Sequence, residues 1–402
     1  MYNKRLVFIA ACFGMFIFGI VMAVLGAVLP SVIVKFEIDK IDAGSLFLLL
    51  TFGMLVGSMV FGPIVDRYGY KGLLIVCAAL IVIGFQGIAF APSMFILRLS
   101  LLCIGFAGGA INGGTNALVS DISEERRGSG LAFLGAFFGV GAFGVPLLLG
   151  TFLDRFSYET LIAAVGAMII LPWLLFIFLR FPKPKHEQGF PLAEGLGLTK
   201  EGTLLLFGLI LFIQSGMEMT VGGWSATFLI EEINIGAQRA VLLLSLFWFS
   251  MVFARLVLGS LLKYISAAVV FRFSIVIAFT GSMMMVLSAS ASIAVAGLML
   301  VGLGFAAVFP IVFAFVGDLY SRLSGTAFSV VLVMALTGGM LFPYITGIIA
   351  NSFGLRISLI LIPVSLVCSF VVFWIVHRRI RRAEKAKEPV TEYQVVTEIP
   401  KF

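Results

Sequence analysis

Residues 141–156 read GAFGVPLLLGTFLDRF, and residues 338–353 read GGMLFPYITGIIANSF. Laid over each other at a spacing of 197 positions, Gly141 meets Gly338, Pro146 meets Pro343, Gly150 meets Gly347 and Phe156 meets Phe353. The same spacing holds upstream without a gap. It pairs Gly62 with Gly259, Gly105 with Gly302, Asp121 with Asp318 and Gly128 with Gly325. The matched letters set close helix packing and helix ends, while the apolar residues between them differ. A skeleton repeated in this way describes two copies of one structural unit.

That unit belongs in a membrane. The chain is 61% hydrophobic and 12% charged, far from a soluble globular mix. Twelve apolar runs, centred near residues 19, 55, 81, 107, 139, 169, 216, 252, 278, 305, 338 and 366, are each long enough to cross a bilayer. The fold class is therefore an all-α membrane protein of two pseudo-symmetric six-helix bundles. The expected domains are a bundle over 1–181, a cytoplasmic linker over 182–202, a second bundle over 203–377 and a basic tail over 378–402. The tail is expected to be disordered, and the basic, apolar N-terminus is read as a retained first helix, because its run continues to Pro30.

The net charge of +7 would suggest nucleic acid in a soluble protein. Here it reports topology. Lys4, Arg5, Arg67, Lys71, Arg180, Lys263, Arg272 and the cluster from Arg378 to Lys387 fall on the side that an even number of spans assigns to both termini. The opposite loops hold Lys35, Lys40, Arg155, Arg239 and Arg356. By the positive-inside rule both termini are cytoplasmic, in the inner or plasma membrane. The tail cluster either rests on anionic membrane lipids or only sets topology. Cys12, Cys77, Cys103 and Cys368 lie inside apolar runs and read as free thiols. No metal-ligand cluster, nucleophile–base pair or phosphate-binding loop is present, so no cofactor, no metal and no enzyme activity is expected.

Polar residues inside the spans are few. The seventh run carries Gln214 and Glu218 on one face, and the eighth carries Trp248 and Arg255 on one face. A carboxylate at mid-membrane is expensive unless paired or protonated, and an arginine there needs a partner or water. Glu218 and Arg255 are therefore read as a pair, either static or exchangeable. Asn112 and Asn116 share a face of the fourth run. They either bind substrate or hydrogen-bond across helices. Trp224, near the end of the seventh run, and Trp248 offer ring faces for stacking. The first run has no polar side chain between Leu6 and Pro30. Arg98 reads as a side chain reaching the nearer membrane surface.

The stretch GMLVGSMVFGPIVDRYGYKG (53–72) places Gly53, Gly62, Asp66, Arg67, Gly69 and Lys71 in a pattern that resembles the loop 2–3 signature of the major facilitator superfamily. The resemblance implies that Gly62, Asp66, Arg67, Gly69 and Lys71 form a conformational latch between the halves. The second copy keeps Gly259 but has Lys263 and Tyr264 at the Asp and Arg places. GVGAFGVPLLLG (139–150) partly resembles the superfamily's antiporter motif, with Val145 where that motif has a glycine. GGTNALVSDI (113–122), GMEMTVGGWSATFL (216–229), SLFWFSMVFARLVLG (245–259) and TGGMLFPYITGIIANSFG (337–354) are similar to the fucose/hexose–proton symporter branch. That branch carries a helix 4 carboxylate where Asn112 stands, and polar residues where Ala132 and Gly135 stand.

The resemblance implies a secondary transporter working by alternating access, with a small-molecule substrate at the repeat interface. The leading expectation is uptake of a sugar or similar small polar metabolite by a monomer, coupled to a proton or a sodium ion, with Glu218 as the acid. The poorly polar first half and the many aromatics suit a second reading, efflux of an amphipathic compound. A third is a non-transporting receptor with the same fold.

Overall fold

A computed structural model of the chain describes residues 2–122, 127–182, 201–320 and 324–387. Within these lie twelve helices long and apolar enough to cross a membrane. They are α1 (Lys4–Phe36), α2 (Lys40–Val65), α3 (Arg67–Ala89), α4 (Met94–Ile122), α5 (Phe133–Phe152), α6 (Tyr158–Phe178), α7 (Gly202–Glu231), α8 (Ala237–Leu261), α9 (Ala267–Leu287), α10 (Ala291–Leu319), α11 (Ala327–Phe353) and α12 (Leu355–Ile380). Each expected run is one of these helices. The expected linker falls almost wholly outside the described residues. The tail differs from expectation at its start, because the last helix continues to Lys387. Arginine, alanine, glutamate and lysine are good helix formers, and the Arg378 guanidinium lies 3.7 Å from the Trp374 ring centroid.

Three prolines follow breaks in the helices and others do not. A proline has no N–H for the carbonyl four residues back, and its ring crowds that carbonyl. The helical pattern stops at Ile169 before Pro172, at Ala306–Ala307 before Pro310, and at Leu359–Ile360 before Pro363. Pro30, Pro146 and Pro343 stay inside unbroken helices. Just inside the start of α3 the chain kinks at Gly69, with φ 77° and ψ 168°. That region is open to glycine and strained for other residues, which gives the glycine a physical reason.

The halves are pressed together at the end remote from the termini. A Cβ on Gly26 of α1 would land on the Gly222 carbonyl oxygen of α7. Glycine alone permits this approach, and the repeat mate of Gly26 is Gly223. Gly44 of α2 packs on the Tyr344 backbone of α11, 3.2 Å from a Cβ position, and Lys40 Nζ lies 2.8 Å from Glu231 Oε2. Toward mid-span, Gly139 of α5 packs on Val252 of α8. One turn nearer the termini the packing ends. A Cβ on Gly135 would meet nothing within 4 Å, and the same holds for Gly62 and Gly259. The close approaches between the halves among these glycines thus lie at the far end and at mid-span.

Each half has its own brace at the far end. Lys35 Nζ lies 3.2 Å from Glu159 Oε1, tying the end of α1 to the start of α6. In the other half, Arg356 Nε lies 3.4 Å from Glu232 Oε2, tying the end of α7 to the start of α12. The repeat spacing of 197 maps Lys35 onto Glu232 and Glu159 onto Arg356. The two braces occupy the same place with the charges exchanged. Arg356 also donates from Nη1 to the Val286 and Ser288 carbonyls at 2.8 and 2.9 Å, which brings in the end of α9. At the other end of the second half, Tyr320 donates to Glu201, the residue that caps α7. Burial, and then the Glu201 carboxylate, push the Tyr320 phenol above its usual range, so it remains a donor.

Candidate functional site

Glu218 and Arg255 are the two charged side chains deepest in the twelve spans. They face each other. Arg255 Nη2 lies 3.9 Å from Glu218 Oε1, with side-chain exposures of 23% and 9%. That separation is electrostatic contact and too long for a hydrogen bond. Arg255 Nε is buried without a hydrogen-bond partner. The guanidinium carbon lies 5.6 Å from the Phe138 ring centroid on α5, across the boundary between the halves. Phe138 also meets Trp248 edge-on, with ring centroids 6.4 Å apart, and Trp248 Nε1 is buried and unpartnered. So one aromatic ring of the first half touches both side chains that α8 presents on one face. The sequence did not single out Phe138, because nothing in it distinguishes one phenylalanine among 41.

The structure brings Glu218, Arg255 and Trp248 to this boundary. Gln214 stays beside Glu218, within hydrogen-bonding reach of its carboxylate, and the other expected site residues have partners elsewhere. Gln214 is fully buried, and its amide reaches the Phe305 carbonyl at 3.4 Å, beside the break in α10. Trp224 is fully buried too, with Nε1 donating to the Pro343 carbonyl at 3.0 Å and its ring against Phe47. In this state both hold helices together. Asn116 donates to Asn112 Oδ1 at 3.0 Å and to its carbonyl at 2.8 Å, with Met15 Sδ beyond at 3.9 Å. Asn116 thus spends its amide on Asn112 and α1, and no described contact joins the two asparagines to the second half.

At the expected latch, Gly69 makes the kink and Arg67 lies 5.3 Å from the Tyr68 ring centroid. Gly62 is unpacked, Lys71 is half-buried, and the Asp66 side chain is outside the described set. Arg98 does more than reach the surface, since its Nη2 pairs with Asp42 Oδ1 at 2.7 Å. Among the described residues no group of His, Cys, Asp and Glu could hold a metal ion. Two surface hollows lie away from Glu218. One, of about 370 Å³, is lined by Lys4, Arg5, Phe8, Ile9 and Ile122. Another, of about 460 Å³, is lined by Leu153, Asp154 and the start of α8.

Twelve spans in two repeats around a boundary with a deep charged pair define a secondary transporter rather than an enzyme. The chain belongs to the Major Facilitator Superfamily, whose model matches residues 11–334 and, in a second overlapping match, 206–399. It is 26% identical over 361 residues to the uncharacterized transporter y4wD of Sinorhizobium fredii, covering 87% of this chain and 92% of that one. It is 24% identical to the uncharacterized MFS-type transporter YfkL of Bacillus subtilis, covering 85% and 88%. A shorter match, 28% over 158 residues and 38% of each chain, is to the multi-drug resistance efflux pump PmrA homolog of Lactococcus lactis. Among solved structures, the fold is like that of a bacterial homolog of the human lysosomal transporter Spinster, in an inward-facing, unoccupied conformation. The TM-score is 0.77 at 16% identity, covering 94% of this chain and 98% of that one. The nucleoside transporter NupG gives 0.74 at 14% identity, covering 95% and 100%. The protein is therefore a multi-pass membrane transporter that binds a small-molecule substrate.

Proposed function

We propose that this transporter takes up a sugar or similar small polar metabolite together with a proton, and that Glu218 carries the proton. The observation behind this reading is the buried carboxylate near the middle of α7, opposite Arg255 at 3.9 Å. An ionised carboxylate at that depth is costly, so it alternates readily between a neutral acid and the partner of Arg255. The likeness of the α4, α7, α8 and α11 segments to fucose/hexose–proton symporters supports a polar substrate. Both termini are proposed to be cytoplasmic in an inner or plasma membrane. The far end is then external, and the end that carries the termini opens inward. The loop around Asp66, Arg67, Gly69 and Lys71 would latch the cytoplasmic ends in the opposite state, which fits the unpacked Gly62 here.

The efflux reading draws support from the short match to drug pumps and from the apolar first half. A lipophilic cation at Glu218 would also sit beside Arg255. Like charges about 4 Å apart repel by ~4 kcal/mol at an effective dielectric of ~20. That disfavours a cationic drug at this site.

Purified protein in proteoliposomes tests the proposal through Glu218→Gln, which keeps shape and removes the titratable charge. Accumulation driven by an imposed pH gradient should be lost, while exchange of substrate across the bilayer persists. Unaltered pH-driven accumulation would remove the coupling role of Glu218.

A further inference from the structure

We infer that the transported molecule is a small organic acid whose carboxylate docks on Arg255, with its body against Phe138 and Trp248. This rests on the proton-coupled uptake proposed above and names the class of its substrate.

The first argument is unused binding capacity. Among the described residues Arg255 has one anionic neighbour, 3.9 Å away, its Nε has no partner, and Trp248 Nε1 on the same helix face has none either. Buried donors in native proteins are nearly always bonded, and these two belong to side chains that share the Phe138 ring as a neighbour, so a ligand's acceptors set against that ring could serve both. A guanidinium presents a planar fork that fits a carboxylate with two parallel bonds. The second argument is charge balance. Arg255 stays charged at all ordinary pH. While Glu218 is ionised the pair is neutral. Once Glu218 is protonated, the site carries one uncompensated positive charge, and a monoanion restores neutrality. Proton and anion then favour each other's binding, by linkage.

No other charge intrudes on this balance. Along α1 there is none between Arg5 and Lys35, and α5 and α11 carry none at all. On α10 only Asp318 is charged, close to its end, and α12 holds its charges at Arg356 and from His377 onward. The third argument is access. α5 and α8 touch at Gly139 and Val252 and part at Gly135, one turn from Phe138. Arg255 keeps 23% of its side chain exposed.

The test uses two probe sets that share a body and differ in charge: galacturonate, galactose and galactosamine, then benzoate, benzyl alcohol and benzylamine. Thermal stabilisation of the full-length purified protein reads equilibrium binding. At least one carboxylate should stabilise it, and its neutral and amine counterparts should not. Arg255→Gln risks stranding Glu218, so the paired variant Arg255→Gln with Glu218→Gln, which removes both charges, serves beside it. Both should weaken carboxylate binding by at least about 30-fold. Three results would overturn the inference: equal binding of a neutral or amine member, carboxylate binding that survives the paired variant, or no binding by either carboxylate. The underlying reading fails separately. Carboxylate binding without pH-driven uptake removes proton-coupled uptake and leaves the anion site standing. Proton-driven uptake of galactose does the reverse.

Discussion

Val21 and Glu218 stand at equivalent places in the two halves, 197 positions apart. So do Ile17 and Gln214, Thr51 and Trp248, and Ser58 and Arg255. In each pair the second half carries the polar or bulky group and the first half a small or apolar one. The reverse holds on α4 and α10. Asn112 and Asn116 bond to each other, while their mates Phe309 and Phe313 stack with ring centroids 5.2 Å apart. Gly26 and Gly223, by contrast, are glycine in both copies. At this crossing of α1 and α7 the repeat keeps its letter, while at the polar positions above it has drifted. Deep charge has collected in the second half, where Glu218 and Arg255 face each other and the equivalent places in the first half hold Val21 and Ser58.

The comparison predicts its largest effect at the shared glycines. A Cβ on Gly26 meets the backbone of Gly222, which cannot step aside, whereas one on Gly223 meets the ring of Phe47, which can rotate. Gly26→Val should therefore oppose far-end closure by about 1–3 kcal/mol or more, and Gly223→Val by less. The measurement is cross-linking between cysteines placed at Lys40 and Glu231, which lie 2.8 Å apart side chain to side chain when the far end is closed. In a background without the four native cysteines, Gly26→Val should lose most of the cross-link. A cross-link equal to that of the parent protein would mean that the crossing of α1 and α7 does not govern closure.

A smaller effect separates the two braces. Arg356 holds the Glu232 carboxylate and three carbonyl oxygens, at the ends of α7 and α9. Its removal leaves those acceptors short of partners, at a cost of about 1–3 kcal/mol. Glu159 meets only the Lys35 ammonium among the described contacts from another helix, at an exposed place where such pairs contribute about 0–1 kcal/mol. Arg356→Ala should lower the thermal midpoint of the purified protein clearly, and Glu159→Ala barely. Equal shifts would show that the extra carbonyl bonds contribute nothing.

The sequence made much of this legible, and the reason it stopped is physical. Apolar run length gave all twelve spans, because a bilayer demands it of every helix. The pairing of Glu218 with Arg255 was readable because two lone deep charges on neighbouring helices have few alternatives. The partners of Gln214 and Trp224 were not. Both donate to backbone carbonyls, of Phe305 beside a helix break and of Pro343 inside α11, and a carbonyl has no letter of its own. The latch glycine was legible as a motif, but only the φ of 77° at Gly69 says why it must be glycine. The braces were within reach. The repeat spacing relates Lys35 to Glu232 and Glu159 to Arg356, four charges that the sequence itself displays.

The smallest predicted effect asks whether sign or pairing matters at the brace. Lys35→Glu alone sets two carboxylates side by side at the far end. Adding Glu159→Arg rebuilds the pair in the orientation that the second half uses. Both side chains are about 30% exposed, at 30% and 28%, so screening keeps the coupling to about 0.2–1 kcal/mol. If the repeat preserves pairing and is indifferent to sign, the double variant should recover the thermal midpoint that the single one loses, most visibly at low salt. Lys35 also lies 5.3 Å from the Tyr158 ring centroid and 5.5 Å from that of Phe36, contacts that a glutamate cannot replace. Recovery should therefore be partial. Full recovery would show that those rings contribute nothing through the cation, and no recovery would show that the cation belongs on α1 and that the exchanged signs of the two braces are a fixed feature of each half.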